Sequence, residues 1–176
     1  MGVLKDVLFV FQEKSIHAVA GELATSQIRV SLLSKTANVG CLANATIQEL
    51  NNELLFLSSK GVYSASPKGL QEKSAIISPE FKDSNLNFSK AIAFNWREKE
   101  LYILMIPAEK EVSGKLETDP SKSKIFVYDY FNDAWFKWDN MDLSGGIKEY
   151  KDDIYLSLIH ISEPRDGLLS RMPSSA

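Results

Sequence analysis

Apolar and polar positions in this chain alternate in short runs, broken at close intervals by Asn, Asp, Gly, Lys and Ser. Alternation with a period of two marks a strand with one buried face. It predicts a hairpin over residues 7–11 and 15–20, then a strand over 27–33. A strand over 46–50 ends at Asn51-Asn52, a pair that tolerates the positive φ of a tight turn. Strands at 54–57 and 62–65 follow across Ser58-Ser59-Lys60-Gly61, and Ser66-Pro67-Lys68-Gly69 closes that unit. Residues 75–81 read as an outer strand weakened by Pro79 or, over 79–87, as a short helical turn. Strands at 90–95 and 100–106 flank Trp96-Arg97-Glu98-Lys99, and strands at 124–130 and 134–138 flank a turn at Asn132-Asp133. Strands at 145–150 and 152–155 start another hairpin. Residues 34–43, with Gly40, read as a connection, and residues 107–123, rich in Lys and Glu, as a solvated flexible loop. Helical periodicity is absent throughout.

The strands repeat. Leu8-Phe9-Val10-Phe11-Gln12-Glu13-Lys14-Ser15-Ile16-His17 aligns without a gap on Leu54-Leu55-Phe56-Leu57-Ser58-Ser59-Lys60-Gly61-Val62-Tyr63, 46 positions further on. A weaker third copy is Glu100-Leu101-Tyr102-Ile103-Leu104, answered by Ile125-Phe126-Val127-Tyr128-Asp129, and a fourth starts at Asp153-Ile154-Tyr155. All pairings are sequential hairpins, so the topology is a meander. Repeated meanders of this period predict an all-β fold, a partial β-propeller of about three blades over residues 1–155, opening halfway through a blade. A β-sandwich or an open β-fragment is the competing architecture. An unclosed array leaves strand edges bare, so the isolated chain is expected to be poorly stable or to aggregate.

Composition narrows the function classes. The 176 residues carry a formal charge of −3 with no basic stripe, which argues against nucleic acid as the main partner. No apolar run approaches the length of a membrane span. The N-terminus lacks the order of a signal peptide, and Asp6 spoils a lipidation match at Gly2. Cys41, the single cysteine, excludes an intrachain disulfide and reads as a small buried hydrophobe.

The end of the chain reads differently. Leu156-Ser157-Leu158-Ile159-His160-Ile161-Ser162-Glu163-Pro164 resembles the in-frame translation of a transposase-type sequencing adapter. Ser170-Arg171-Met172-Pro173-Ser174-Ser175-Ala176 resembles the flow-cell end that follows, with Gly167-Leu168-Leu169 from the index between them. Arg165-Asp166 is what one missing base gives. On this resemblance residues 156–176 are a non-native, disordered tail, and residues 1–155 are a fragment, of metagenomic origin, of a longer protein. The tail holds two basic and two acidic residues, so the charge balance is the same without it.

Candidate chemistry is sparse. His17 aligns with Tyr63, so it fills a structural slot, and without His160 it is the one histidine left. No Gly-x-Ser-x-Gly motif accompanies it, so no nucleophile–base pair is indicated. Asp129, Asp133, Asp139 and Asp142 cluster, but they stand at turns and strand ends, where Asp serves the backbone. No catalytic, cofactor-binding or metal residue is assigned. The one dense aromatic patch comprises Tyr128, Tyr130, Phe131, Trp135, Phe136 and Trp138. Alternation places Phe126, Tyr128 and Tyr130 on one face and Phe136 and Trp138 on one face of the partner strand, as aromatic pairing between blades requires. Trp135 points the other way, which makes Trp135, with Trp138 and Tyr130, the candidate partner contact.

Several of these segments together carry a family resemblance. The first repeat from Leu8, Val39-Gly40-Cys41, the run Leu54-Leu55-Phe56-Leu57-Ser58-Ser59-Lys60-Gly61-Val62-Tyr63, and Phe126-Val127-Tyr128-Asp129 with Trp135 and Trp138 resemble β-propeller proteins of short-tailed bacteriophages. Those are the tail tubular, nozzle or head–tail stabilisation proteins, and the resemblance covers about residues 1–155. It implies a virion structural protein in the tail, made in the host cytoplasm, with other virion proteins as partners and a ring-forming homo-oligomer at full length. DNA would pass through without specific binding, and no membrane, cofactor or catalysis is implied. A carbohydrate-binding host-attachment propeller using Trp135, or a fragment of a propeller hydrolase or lyase, are the other expectations.

Overall fold

A computed structural model describes residues 1–22, 27–33, 38–83, 85–138, 147–150 and 153–156. The chain is all-β. In order, the strands are β1 (Gly2–Leu4), β2 (Val7–Phe11), β3 (Ile16–Glu22), β4 (Gln27–Leu32), β5 (Gln48–Leu50), β6 (Glu53–Ser58) and β7 (Gly61–Ser66). They continue as β8 (Gly69–Glu72), β9 (Ile92–Trp96), β10 (Leu101–Val112), β11 (Lys115–Asp129), β12 (Ala134–Trp138), β13 (Ile147–Tyr150) and β14 (Asp153–Leu156). They form three four-stranded antiparallel meanders, sheet 1 (β1 to β4), sheet 2 (β5 to β8) and sheet 3 (β9 to β12), plus the hairpin β13–β14. Of the expected tail, only Leu156 falls within the described residues, as the end of β14.

The turn chemistry explains why each hairpin closes where it does. Asn51 and Asn52 both sit at positive φ, 45° and 63°, between the paired residues Leu50 and Glu53. That is the two-residue turn whose twist matches the flanking strands. A β-branched side chain is strained there, so Asn52→Val is expected to cost about 1–2 kcal/mol and Asn52→Gly next to nothing. Equilibrium urea denaturation of the two variants checks this, and equal midpoints would refute it. Gly61, at φ 137°, opens β7, and a Cβ there would lie 2.2 Å from Ser74 Oγ, the acceptor of the Val62 N–H.

Alternation within each strand then sets the packing. In β6, Leu54 and Phe56 face sheet 1, where they join Leu4, Phe9, Ile16, Ala18, Val39 and Cys41 in one buried cluster. Leu55 and Leu57 face sheet 3 and meet Tyr102, Leu104, Ile106, Phe126 and Tyr128 in a second. Sheet 2 is thus covered on both faces, by the sheet before it and the sheet after it. A third cluster, Trp96, Ile103, Met105, Ile125 and Val127, lies on the far face of sheet 3. Complete burial of a Leu, Ile or Phe contributes about 1.5–3 kcal/mol, so these faces dominate stability.

Three expectations are corrected by this arrangement. Sheet 1 does not open halfway, because Gly2–Leu4 pairs with β2 across a turn that has Lys5 at φ 53°. Of the two readings of the segment around Pro79, the strand fails: residues 75–82 form a 3₁₀ helix, four residues earlier than the helical turn expected over 79–87, and the outer strand of sheet 2 is Gly69–Glu72. Finally, the polar insertion is an ordered ribbon, with pairs from Ala108↔Asp119 to Val112↔Lys115 about a turn at Ser113 and Gly114. Its base is held by Asn87 N–H to Pro107 O (2.7 Å), Glu109 N–H to Asn85 O (2.9 Å) and the Lys90–Glu109 ion pair (2.7 Å).

Candidate interaction surface

The residues singled out for chemistry are taken up locally. His17 lies on β3 opposite Val10 and Leu32, half-buried on the outer face of sheet 1. Asp129 organises a turn: its carboxylate accepts from Phe131 N (3.0 Å), Asn132 N (2.9 Å) and Asn132 Nδ2 (2.7 Å). Those bonds, led by the Asn132 side chain, hold its carboxyl below the usual range. Asp133 accepts from the Tyr128 hydroxyl, and burial, reinforced by that carboxylate, pushes the phenol far above its usual range. Asp139 and Asp142 lie outside the described residues. Cys41 Sγ donates to Ala43 O at 3.1 Å, and burial raises its thiol, the opposite of an activated nucleophile. Among the described residues no group of three or more His, Cys, Asp or Glu is placed to hold a metal ion. No helix of the described residues is long and apolar enough to cross a membrane.

The aromatic patch divides between two faces. Register places Trp135 opposite Tyr128 and Phe136 opposite Val127. The Trp135 ring therefore stacks on Tyr128, with centroids 4.8 Å apart, and its indole N–H donates to Lys73 O in sheet 2 at 2.8 Å. Trp135 is half-buried and ties sheet 3 to sheet 2, so one ring face and its donor are already engaged. Tyr130 packs at the edge of the same cluster, and Trp138 packs on the far-face cluster. The exposed aromatics are Phe131 and Phe136, at 75% and 53%. Sequence reasoning missed the Tyr128–Trp135 stack because it did not set the register across the Asn132-Asp133 turn.

The larger unassigned surface is the outer face of sheet 1. Strand register aligns Val3, Leu8, Val19 and Val30 in one row across all four strands, with Val10, His17 and Leu32 in the next. Ile28 lies beyond them, opposite Gly21. Val3, Ile28, Val30 and Leu32 are 60%, 72%, 63% and 42% exposed, and Leu8, Val10 and Val19 are half-buried. No residue in these rows is a carboxylate, lysine or arginine. A contiguous apolar face of this kind on a folded domain marks a contact surface. The open cleft beside the ribbon, about 610 Å³, offers a contrast: Glu109, Lys110, Glu111 and Lys122 line it with both signs of charge.

No protein-family model matches the chain, and no curated protein matches it.

Proposed function

We propose that this chain is a non-catalytic structural component of a bacteriophage tail or head–tail connector, acting through protein–protein contacts in a ring assembly. Its three meanders are consecutive blades of a β-propeller. One observation carries the reading: sheet 2 is buried on both faces by its neighbours in sequence, in meander order, as blades around an axis are. The resemblance of residues 1–155 to phage tail propellers supplies the viral context. The engagement of Trp135 with Tyr128 and Lys73 favours contact between sheets over sugar stacking at that ring. Partners are other virion proteins, DNA passes without specific contacts, and the protein needs no cofactor.

The test has two arms. The reading frames flanking the gene are expected to encode portal and capsid proteins, and mass spectrometry of purified particles is expected to find this polypeptide at the copy number of a ring. Flanking metabolic genes together with absence from particles would overturn the proposal.

A further inference from the structure

The outer face of sheet 1 repeats a surface that the chain elsewhere keeps covered. Leu8, Val10 and His17 stand where Leu54, Phe56 and Tyr63 stand in sheet 2. In sheet 2 those three side chains lie in the cluster filled from the other side by Phe9, Phe11 and Ile16 of sheet 1. In sheet 3 the corresponding positions, Tyr102 and Leu104, are filled by Leu55, Leu57 and Val62 of sheet 2. Each such face receives the opposite face of the preceding meander. On sheet 1 the same face carries Val3, Ile28, Val30 and Leu32 at 42–72% exposure.

We infer that the outer face of sheet 1 seats a further antiparallel sheet of the same polypeptide, which presents Phe, Leu or Ile knobs like those of Phe9, Phe11 and Ile16. This rests on the reading of the sheets as consecutive blades. Size selects a tethered sheet over a second copy. Four strands about 4.8 Å apart, each with about five residues at about 3.3 Å, give a footprint of about 300 Å². Two copies apposed there bury about 600 Å² of flat area, against about 1,200 Å² at the low end for stable contacts between separate proteins. A sheet on the same chain needs no such area, because the tether supplies a high effective concentration. Charge agrees: the rows offer a partner no ion-pairing group, only apolar relief and His17.

Cysteine labelling reads the occupancy of this face. The native thiol, Cys41, is 8% exposed and makes a slow background. Val30→Cys and Leu32→Cys place a thiol on the face, and Lys68→Cys places a control thiol on the exposed turn before β8. Maleimide labelling is measured on the 176-residue chain and on the product of the complete gene, and a complete gene that encodes no further sheet overturns the inference. In the short chain, Val30→Cys is expected to label as fast as Lys68→Cys. In the product of the complete gene, labelling at position 30 is expected to slow by about tenfold or more, while Lys68→Cys is unchanged. Equal rates in both products overturn the inference. So does protection in the short chain that grows with protein concentration, since a second copy would then be the occupant. Leu32→Cys takes over as the reporter, with the same expected rates, if Val30→Cys loses its thermal transition. Protection at position 30 in a protein absent from virions would sink the phage assignment and leave this inference standing.

Discussion

Gly40→Ala is expected to destabilise the fold by about 3 kcal/mol or more, although it adds one methyl group at a position outside the left-handed region. An alanine Cβ there would lie 2.1 Å from the carbonyl oxygen of Gln12 and 2.4 Å from the carbonyl carbon of Glu13. Both are backbone atoms of the turn between β2 and β3, closed by Gln12 N–H to Ser15 O at 2.8 Å. The segment around Gly40 is held as firmly. Cys41 N–H donates to Gln12 O at 2.9 Å, Leu42 N–H donates to Leu57 O at 3.0 Å, and Val39 is fully buried. Making room therefore breaks the bond that joins the connection to sheet 1, or draws Val39 and Cys41 out of the cluster between sheets 1 and 2. Removing a glycine normally stabilises by about 0.4–1 kcal/mol through the unfolded chain, which is too little to offset either loss. Against a total of about 5–15 kcal/mol for a domain, the variant is left marginal. Urea denaturation at pH 7 decides it, and a change under about 0.5 kcal/mol would refute the proposed close approach.

The residues themselves explain what the sequence made legible. Asn51-Asn52 and Asn132-Asp133 announced their turns because few side chains accept positive φ, and Asn52 and Asp133 do so here. The repeat from Leu8 to Leu54 was visible because both copies keep the same alternation around a turn of the same length. The third copy was weaker because both faces of β10 are apolar: Tyr102, Ile103, Leu104 and Met105 give period-two reasoning no polar position to anchor it. The ribbon was hidden for the opposite reason. Its side chains from Glu111 to Thr118 are exposed, so no burial pattern marks them, and the Ser113-Gly114 turn dipeptide was the one available signal. The exposed face of sheet 1 was beyond reach, since Val30 and Leu32 read as core in any alternating strand. Only the folded chain shows them uncovered.

Tyr102→Ala is expected to cost about 3–5 kcal/mol, and Tyr102→Phe about 1–2 kcal/mol. The side chain is wholly buried, and its hydroxyl donates to Thr46 O at 2.9 Å. Thr46 in turn donates through Oγ1 to Ala43 O (2.7 Å) and accepts the Leu57 N–H (3.0 Å). Tyr102 thus fastens sheet 3 to the 3₁₀ turn that leads into sheet 2, at the point where the cluster of Leu55, Leu57 and Leu104 is formed. Alanine removes the ring and leaves a cavity; phenylalanine keeps the ring and removes one donor. A second readout separates the hydroxyl from the packing. Burial raises the phenol well above its ordinary value of about 10. A group whose folded pKa is raised contributes stability that is complete below its unfolded pKa and is lost as pH rises beyond it. The natural chain should therefore lose stability as pH climbs above about 10, and Tyr102→Phe should lose less. Tyr128, which burial raises in the same sense, keeps part of the slope in the variant. Denaturant midpoints measured at neutral pH and at intervals above pH 10 test both points. If Tyr102→Phe leaves the neutral-pH midpoint unchanged, or if its alkaline slope matches that of the natural chain, the Tyr102 hydroxyl is not the bond that joins the two sheets.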